Sequence, residues 1–210
     1  IAAYLPLRQT RGFSVIAERN EVMTIDEKRA AETFLYFSYG SNMLSSRLKA
    51  RTPSAIATGI GHIEGRLLNF DKISTDAAGN TSGKVTINRT SDAGARVWGV
   101  LYTISLDEMG ALDAAEGVPT HYRQEDVQVV TNKGTVTAKA YVAVQKTPSD
   151  PTYLPYHWYK ALVVAGAAEH HLPVGYTEWL RTFASQEDPD PIRRAEGEAI
   201  LFSNKGSDDR

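Results

Sequence analysis

There is no cysteine among the 210 residues of the chain. Thiol nucleophiles, thiolate metal sites and disulfide scaffolds are excluded together. The composition gives no support to a secreted protein and fits a reducing cytoplasm. No apolar run approaches the roughly 18 residues of a membrane span, so no membrane partner is expected. Neither sign of charge dominates: 23 Lys and Arg stand against 25 Asp and Glu, for a formal net charge of −2. With the two signs interspersed, a broad nucleic-acid footprint is not expected. The five histidines do not assemble a metal site. His170 and His171 are adjacent and so point to different sides of a helix, and His62, His121 and His157 stand alone. A Walker loop, a Rossmann fingerprint and zinc-ligand spacing are missing as well.

What remains is a chain long enough for one ordinary domain with ragged ends. A domain of about 150 residues buries roughly 70% of its unfolded surface, so a core forms without metal or disulfide staples. Residues 1–22 lack the long apolar stretch of a signal peptide and begin with Ile. The expectation is that Met23 lies near the functional start, with residues 1–33 an N-terminal extension, 34–186 the functional domain and 187–210 a helical or disordered tail.

Phe34-Leu35-Tyr36-Phe37 is an aromatic and aliphatic run suited to a buried strand, and Ser45 to Arg51 reads as an amphipathic helix. Then the chain turns predominantly β. "ATGIGHIEGRLLNFDKIS" reads as one or two strands, "AAGNTSG" at 77–83 as a turn and "KVTINRT" as a half-buried strand. "DAG" at 92–94 reads as a hairpin connection into the strand "ARVWGVLYTIS". A helix follows, with Ser105 as N-cap, an apolar stripe of Leu106, Met109 and Leu112, and Gly117 as its stop. "HYRQEDVQVVTNKGTVTAKAYVAV" reads as a hairpin turning at Asn132-Lys133-Gly134. "TPSDPTYLP" reads as a loop, "YHWYKALVVAGAAEHH" and "VGYTEWLRTFAS" as helices, and Arg193 to Phe202 as one or two further turns. Strands pooled in the middle with helices at intervals predict an α+β fold, a small curved or closed β-barrel with flanking helices.

Two stretches hold candidate chemistry. Tyr39-Gly40-Ser41-Asn42 lies between a strand and a helix start, where unpaired N–H groups can cradle a carboxylate or carbonyl oxygen. The same four residues fit a plain capped turn. The G-x-S-x-G pattern of a nucleophile elbow is absent, and no His is tied to Ser41 by sequence. Glu116, in "LDAAEGVP", falls at the unfavourable end of its helix dipole, where partial burial raises a carboxyl pKa toward the range of a general acid/base. An ordinary exposed glutamate fits the position too. Asp113, three residues earlier, lies on the neighbouring face as a possible carboxylate partner, a cap or a surface contact. Tyr122 and Tyr159 flank segments able to face one cavity, with core packing as the alternative for each.

Taken in order, "YFSYGSN", "VWGVLYTIS", "LDAAEGV" and "YKALVVAGAAEHHLP" resemble the γ-glutamylcyclotransferase family (AIG2-like fold) over roughly residues 34–180. The resemblance implies a small β-barrel with flanking helices and an acid/base glutamate, with no cofactor and no metal. By position, Tyr39, Gly40, Ser41 and Asn42 match that family's substrate-holding loop and Glu116 its catalytic glutamate. Tyr122 and Tyr159 fall where the family has pocket tyrosines. The implied partner is a small-molecule γ-glutamyl substrate, and the implied reaction cyclises it to 5-oxoproline with release of an amine or amino acid. Relatives are monomers or dimers, so a homodimer stays open. Readings that keep the fold are a non-catalytic γ-glutamyl-binding module and an enzyme of a γ-glutamylated specialised metabolite, and a serine hydrolase using Ser41 is a third. The ends of the chain have no assigned counterpart in the family, and the loops around 71–83 and 146–156 are where leaving-group choice is expected.

Overall fold

The aromatic run forms strand β1, Thr33–Ser38, and its residues become progressively more buried toward the turn that follows. The computed structural model describes residues 32–144 and 153–203. The expectations for residues 1–31, for 146–152 of the 146–156 loop and for the tail beyond 203 lie outside the described residues.

β1 pairs antiparallel with β5, Arg96–Ser105, which pairs on its other edge with β2, Ile56–Glu64. β2 meets β6, Tyr122–Thr131, and β6 forms a hairpin with β7, Gly134–Ala143. A parallel contact of Tyr36 with Lys139 brings β7 back to β1 and closes a five-stranded barrel, in the order β1-β5-β2-β6-β7. Closure removes the unpaired edges that an open sheet exposes. The chain is thus α+β with a small closed barrel and flanking helices, as its pattern of strands and helices predicts. The two-residue connection Asn132-Lys133 joins the register partners Thr131 and Gly134, as expected of the 132–134 turn.

β3, Arg66–Thr75, and β4, Thr81–Arg89, form a separate two-stranded sheet. This corrects the hairpin expected at Asp92-Ala93-Gly94. That turn does not pair β4 with β5 but carries the chain from the small sheet back to the barrel, because β5 already has β1 and β2 on its two edges.

The helices are α1 Ser45–Lys49, α2 Met109–Glu116, α3 His157–Glu169, α4 Val174–Thr182 and α5 Pro191–Ser203. Ser105 makes no side-chain cap, since a 3-10 turn at Leu106–Glu108 separates it from α2, and Leu106 is exposed while Leu112 is fully buried. Gly117 ends α2 in the left-handed region at φ 66°, as a helix stop requires. α5 is longer than the one or two turns expected. Arg193 anchors it through Asp188 and Asp76, at 2.6 and 2.8 Å. Among the described residues, no helix is long and apolar enough to cross a membrane.

α3 is apolar nearly all round, as a helix buried on several sides must be. Its Gly166 packs directly on the turn after β1: a Cβ there would lie 2.4 Å from the Leu44 nitrogen. The barrel therefore fixes one side of that turn and α3 the other.

Candidate active site

At the end of β1, Tyr39 and Gly40 lead into a single 3-10 turn, Ser41–Met43, whose three residues are all buried. Gly40 answers to packing. A Cβ at this position would stand 2.7 Å from Val85 Cγ1, so only glycine lets β4 come this close to the turn. The turn, Glu116 at the end of α2, Tyr122 at the start of β6 and Tyr159 in α3 surround one solvent-open cavity with about 310 Å³ of empty space. All seven residues singled out in the sequence lie on it: Tyr39, Gly40, Ser41, Asn42, Glu116, Tyr122 and Tyr159. Tyr36, Val85 and Tyr141 complete the lining.

The cavity wall is a hydrogen-bonded structure with few loose side chains. Asn42 Nδ2 donates to Glu116 Oε1 at 2.8 Å and to the Tyr36 hydroxyl at 3.2 Å. Arg51 Nη1 donates to Asn42 Oδ1 at 2.9 Å and lies 3.5 Å from Glu116 Oε1. Arg47 Nε donates to Ser41 Oγ at 3.1 Å, which leaves the Ser41 proton free to point elsewhere. Tyr122 OH donates to the Val85 carbonyl at 3.0 Å, and the Val85 N–H donates to Tyr159 OH at 3.3 Å. Tyr39 OH donates to the carbonyl of Tyr141. Two tyrosines thus stitch the strand β4 to the cavity at Val85.

Burial is the largest influence on Glu116 and raises its pKa above the ordinary carboxylate range. Arg51, the Asn42 hydrogen bond, Arg47 and Lys72 act in the opposite direction. Burial also lifts the hydroxyls of Tyr36, Tyr39, Tyr122 and Tyr159 above their usual value, so at neutral pH the tyrosines act as neutral donors and acceptors.

Asp113 makes no carboxylate pair with Glu116. It accepts from Tyr141 OH at 2.6 Å and from Gln124 Nε2 at 2.6 Å, and so orients a cavity tyrosine. Sequence reasoning overlooked Tyr141, Tyr36, Arg51 and Arg47. Tyr36 carried one signal, its place in the aromatic run leading to the turn. The others touch the site only through tertiary packing. His170 Nε2 lies 2.8 Å from Tyr102 OH and 3.0 Å from Ser45 Oγ, just past the end of α3. Among the described residues, no three His, Asp or Glu side chains group as a metal site.

The human protein named gamma-glutamylcyclotransferase (Homo sapiens) is 31% identical over 186 residues, which cover 80% of this chain and 93% of that one. The chain belongs to the γ-glutamylcyclotransferase family. The mouse protein of the same name (Mus musculus) is 31% identical over 160 residues, 74% of this chain and 81% of that one. A solved structure named gamma-glutamyl cyclotransferase superposes with a TM-score of 0.70 at 28% identity, covering 81% of this chain and 99% of that one. A sequence profile of the AIG2-like family matches residues 96–180, from β5 to α4. Within this γ-glutamylcyclotransferase fold the cavity lies where β1, α2, β4, β6 and α3 converge.

Proposed function

We propose that the cavity binds a γ-glutamyl compound and cyclises it to 5-oxoproline, releasing the amine or amino acid attached to the γ-carbonyl, with Glu116 as general base and then general acid. The observation that supports this most directly is the buried Glu116 carboxyl, held 2.8 Å from Asn42 in a tyrosine-lined cavity. Family membership supports the reaction class, and the general chemistry of a cyclotransferase follows from it.

In a γ-glutamyl compound the attacking amine and the γ-carbonyl are on one short chain. Holding that chain bent turns a five-membered ring closure into a matter of proximity. The α-ammonium first gives a proton to ionised Glu116. The freed amine attacks the γ-carbonyl carbon, forming the ring C–N bond and placing negative charge on the carbonyl oxygen. Backbone N–H groups of the Tyr39–Asn42 turn, with the Ser41 hydroxyl, are suited to hold that oxyanion. As the intermediate collapses, the bond to the departing nitrogen breaks and protonated Glu116 delivers its proton there. The ring nitrogen, still carrying one proton too many, gives it to the now ionised Glu116, which passes it to the released amine. Over the whole reaction two protons thus pass from the attacking to the departing nitrogen, and Glu116 ends ionised as it began. No water is consumed, so residues that position a hydrolytic water are not required.

The test is a panel of γ-glutamyl amino acids and amines, with 5-oxoproline followed by mass and Glu116→Gln as control. Ring closure by the native protein and its loss in the variant are the expected results. Unchanged turnover in Glu116→Gln would remove this residue from the chemistry. Covalent labelling of Ser41 by an acylating or phosphonylating probe would favour a serine hydrolase instead.

A further inference from the structure

Polar groups from three elements meet behind the turn that follows β1. Tyr102 of β5 is fully buried, and its hydroxyl donates to the Met43 carbonyl at 2.7 Å. Burial pushes that hydroxyl up, so it keeps its proton. The same oxygen lies 2.8 Å from His170 Nε2 and 3.1 Å from Ser45 Oγ, and those two atoms are 3.0 Å apart. Glu169 Oε2 accepts from the Ser45 N–H at 3.3 Å, a first-turn donor of α1 that the apolar Leu44 before it cannot satisfy. Among the described residues, neither Tyr102 nor His170 lines the cavity.

The contacts fix where the protons are. A carbonyl only accepts, so the Tyr102 proton is committed to Met43 and the Tyr102 oxygen faces His170 as an acceptor. Two acceptors at 2.8 Å would repel, so Nε2 carries a proton and donates to Tyr102. Ser45 cannot then hand its own proton to that nitrogen, and the two are not a nucleophile with its base. Burial lowers the His170 pKa and Glu169 acts against it. Nε2 is protonated in this neutral tautomer and in the cation alike, so the bond to Tyr102 survives either way.

We infer that Tyr102 and His170 are positioning residues of the active site: they hold the turn and the start of α1 from behind, and so set Asn42 against Glu116. Met43, gripped through its carbonyl, directly follows Asn42, whose amide donates to Glu116 at 2.8 Å. Ser45 opens α1, whose Arg47 donates to Ser41 at 3.1 Å. Arg51, just past the end of that helix, donates to Asn42 at 2.9 Å. A slip at Met43 or Ser45 therefore moves Ser41, Asn42, Arg47 and Arg51 together. Tyr102 stands on the barrel and His170 at the end of α3, so the turn is tied to both of the elements that flank it. The effect on turnover rests on the proposed role of Glu116, whereas the effect on the turn itself does not.

Three variants test this. Tyr102→Phe removes the hydroxyl and keeps the ring, His170→Leu removes the donor, and His170→Gln offers an amide N–H in place of the Nε2 proton. Tyr102→Phe and His170→Leu should each lower kcat by roughly 10-fold to 100-fold, the cost of a small misplacement, while KM moves by no more than a few-fold. The Asn42 bond lowers the Glu116 pKa, so loosening it should also move the acidic limb of kcat/KM upward. His170→Gln, which keeps a donor, should stay within roughly 3-fold of the native kcat. Hydrogen exchange followed by mass spectrometry should quicken from Tyr39 to Ser46 in the two impaired variants and stay native over the β6–β7 hairpin. Native kcat and a native acidic limb in both Tyr102→Phe and His170→Leu overturn the inference. So does a His170→Gln protein as impaired as His170→Leu, which would mean that the ring only fills space. Should Tyr102→Phe not fold, the two His170 variants decide alone. If the native protein forms no 5-oxoproline from any γ-glutamyl compound, the proposed reaction fails by itself. Unchanged exchange over the turn in the same variants would then overturn the positioning role separately.

Discussion

Asn42 donates to Glu116 Oε1 at 2.8 Å across a sequence separation of 74 residues, joining the turn after β1 to the last residue of α2. The same side chain accepts from Arg51 at 2.9 Å, so its amide is oriented from both ends. Glu116 therefore has a fixed position before any ligand arrives, which is what a proton shuttle between two nitrogens requires.

Glu116→Gln keeps the shape and the Asn42 neighbour but removes the basic oxygen. Turnover should fall by about 100-fold to 10,000-fold, the usual contribution of general acid–base catalysis, while substrate affinity stays within a few-fold. Steady-state kinetics with a γ-glutamyl substrate, beside calorimetric binding to the variant, would check both halves.

The pH dependence follows from the raised Glu116 pKa. The base works ionised, so kcat/KM should drop as pH falls through a midpoint above the ordinary carboxylate range. A profile flat down to pH 4 would contradict this. Arg51 is the leading influence holding the pKa down, so Arg51→Met should move the acidic limb upward. For stability the sign is the reverse of that for activity. A carboxyl whose folded pKa is raised stabilises the fold below its unfolded pKa and loses that contribution as pH rises through the folded one. Glu116→Gln should thus raise Tm relative to the native protein at neutral pH more than at pH 4, measurable by calorimetry.

Ser41 is held by Arg47 and belongs to no serine–histidine pair in the cavity lining. Its proposed role is as a donor to the substrate. Ser41→Ala should weaken kcat/KM by roughly 10-fold, the value of one hydrogen bond of about 1.5 kcal/mol, and leave measurable ring closure. Complete loss of activity would point back to a nucleophilic serine.

The strands of the barrel and of the small sheet were readable because they announce themselves locally. The alternation around Val85 and Ile87, the β-branched run of β5 and the Asn132–Gly134 turn each need only near neighbours in sequence. The site was readable at its two ends, the Tyr39–Asn42 turn and Glu116, where a polar group interrupts an apolar element. The hairpin wrongly expected at 92–94 shows where local reading stops. "DAG" specifies a turn, but which strands flank it in space depends on β5 finding β1 and β2. Arg51 was invisible for the same reason, and Asp113 was weighed without its actual partner. Each takes its meaning from a residue far along the chain: Glu116 for Arg51 and Tyr141 for Asp113.

Gly40 offers the sharpest packing test. A glycine at such a turn can leave room for a ligand, but here the structure fills the place of its missing side chain with Val85, whose Cγ1 would lie 2.7 Å from an added Cβ. The backbone at Gly40, φ −117°, makes no demand for glycine, so the constraint is contact alone. Gly40→Ala should therefore overpack the β1–β4 contact at a cost of about 1–3 kcal/mol, a fall of roughly 3–9 °C in Tm for a chain of this size. Because Tyr122 and Tyr159 both bond to the Val85 backbone, pushing β4 outward also shifts two walls of the cavity, and KM should rise. Val85→Ala removes the clashing methyl. The Gly40→Ala/Val85→Ala pair should therefore be more stable than the sum of the single changes by more than about 0.5 kcal/mol, the level expected of residues in contact. Strict additivity in thermal melts would mean that the turn and β4 move independently.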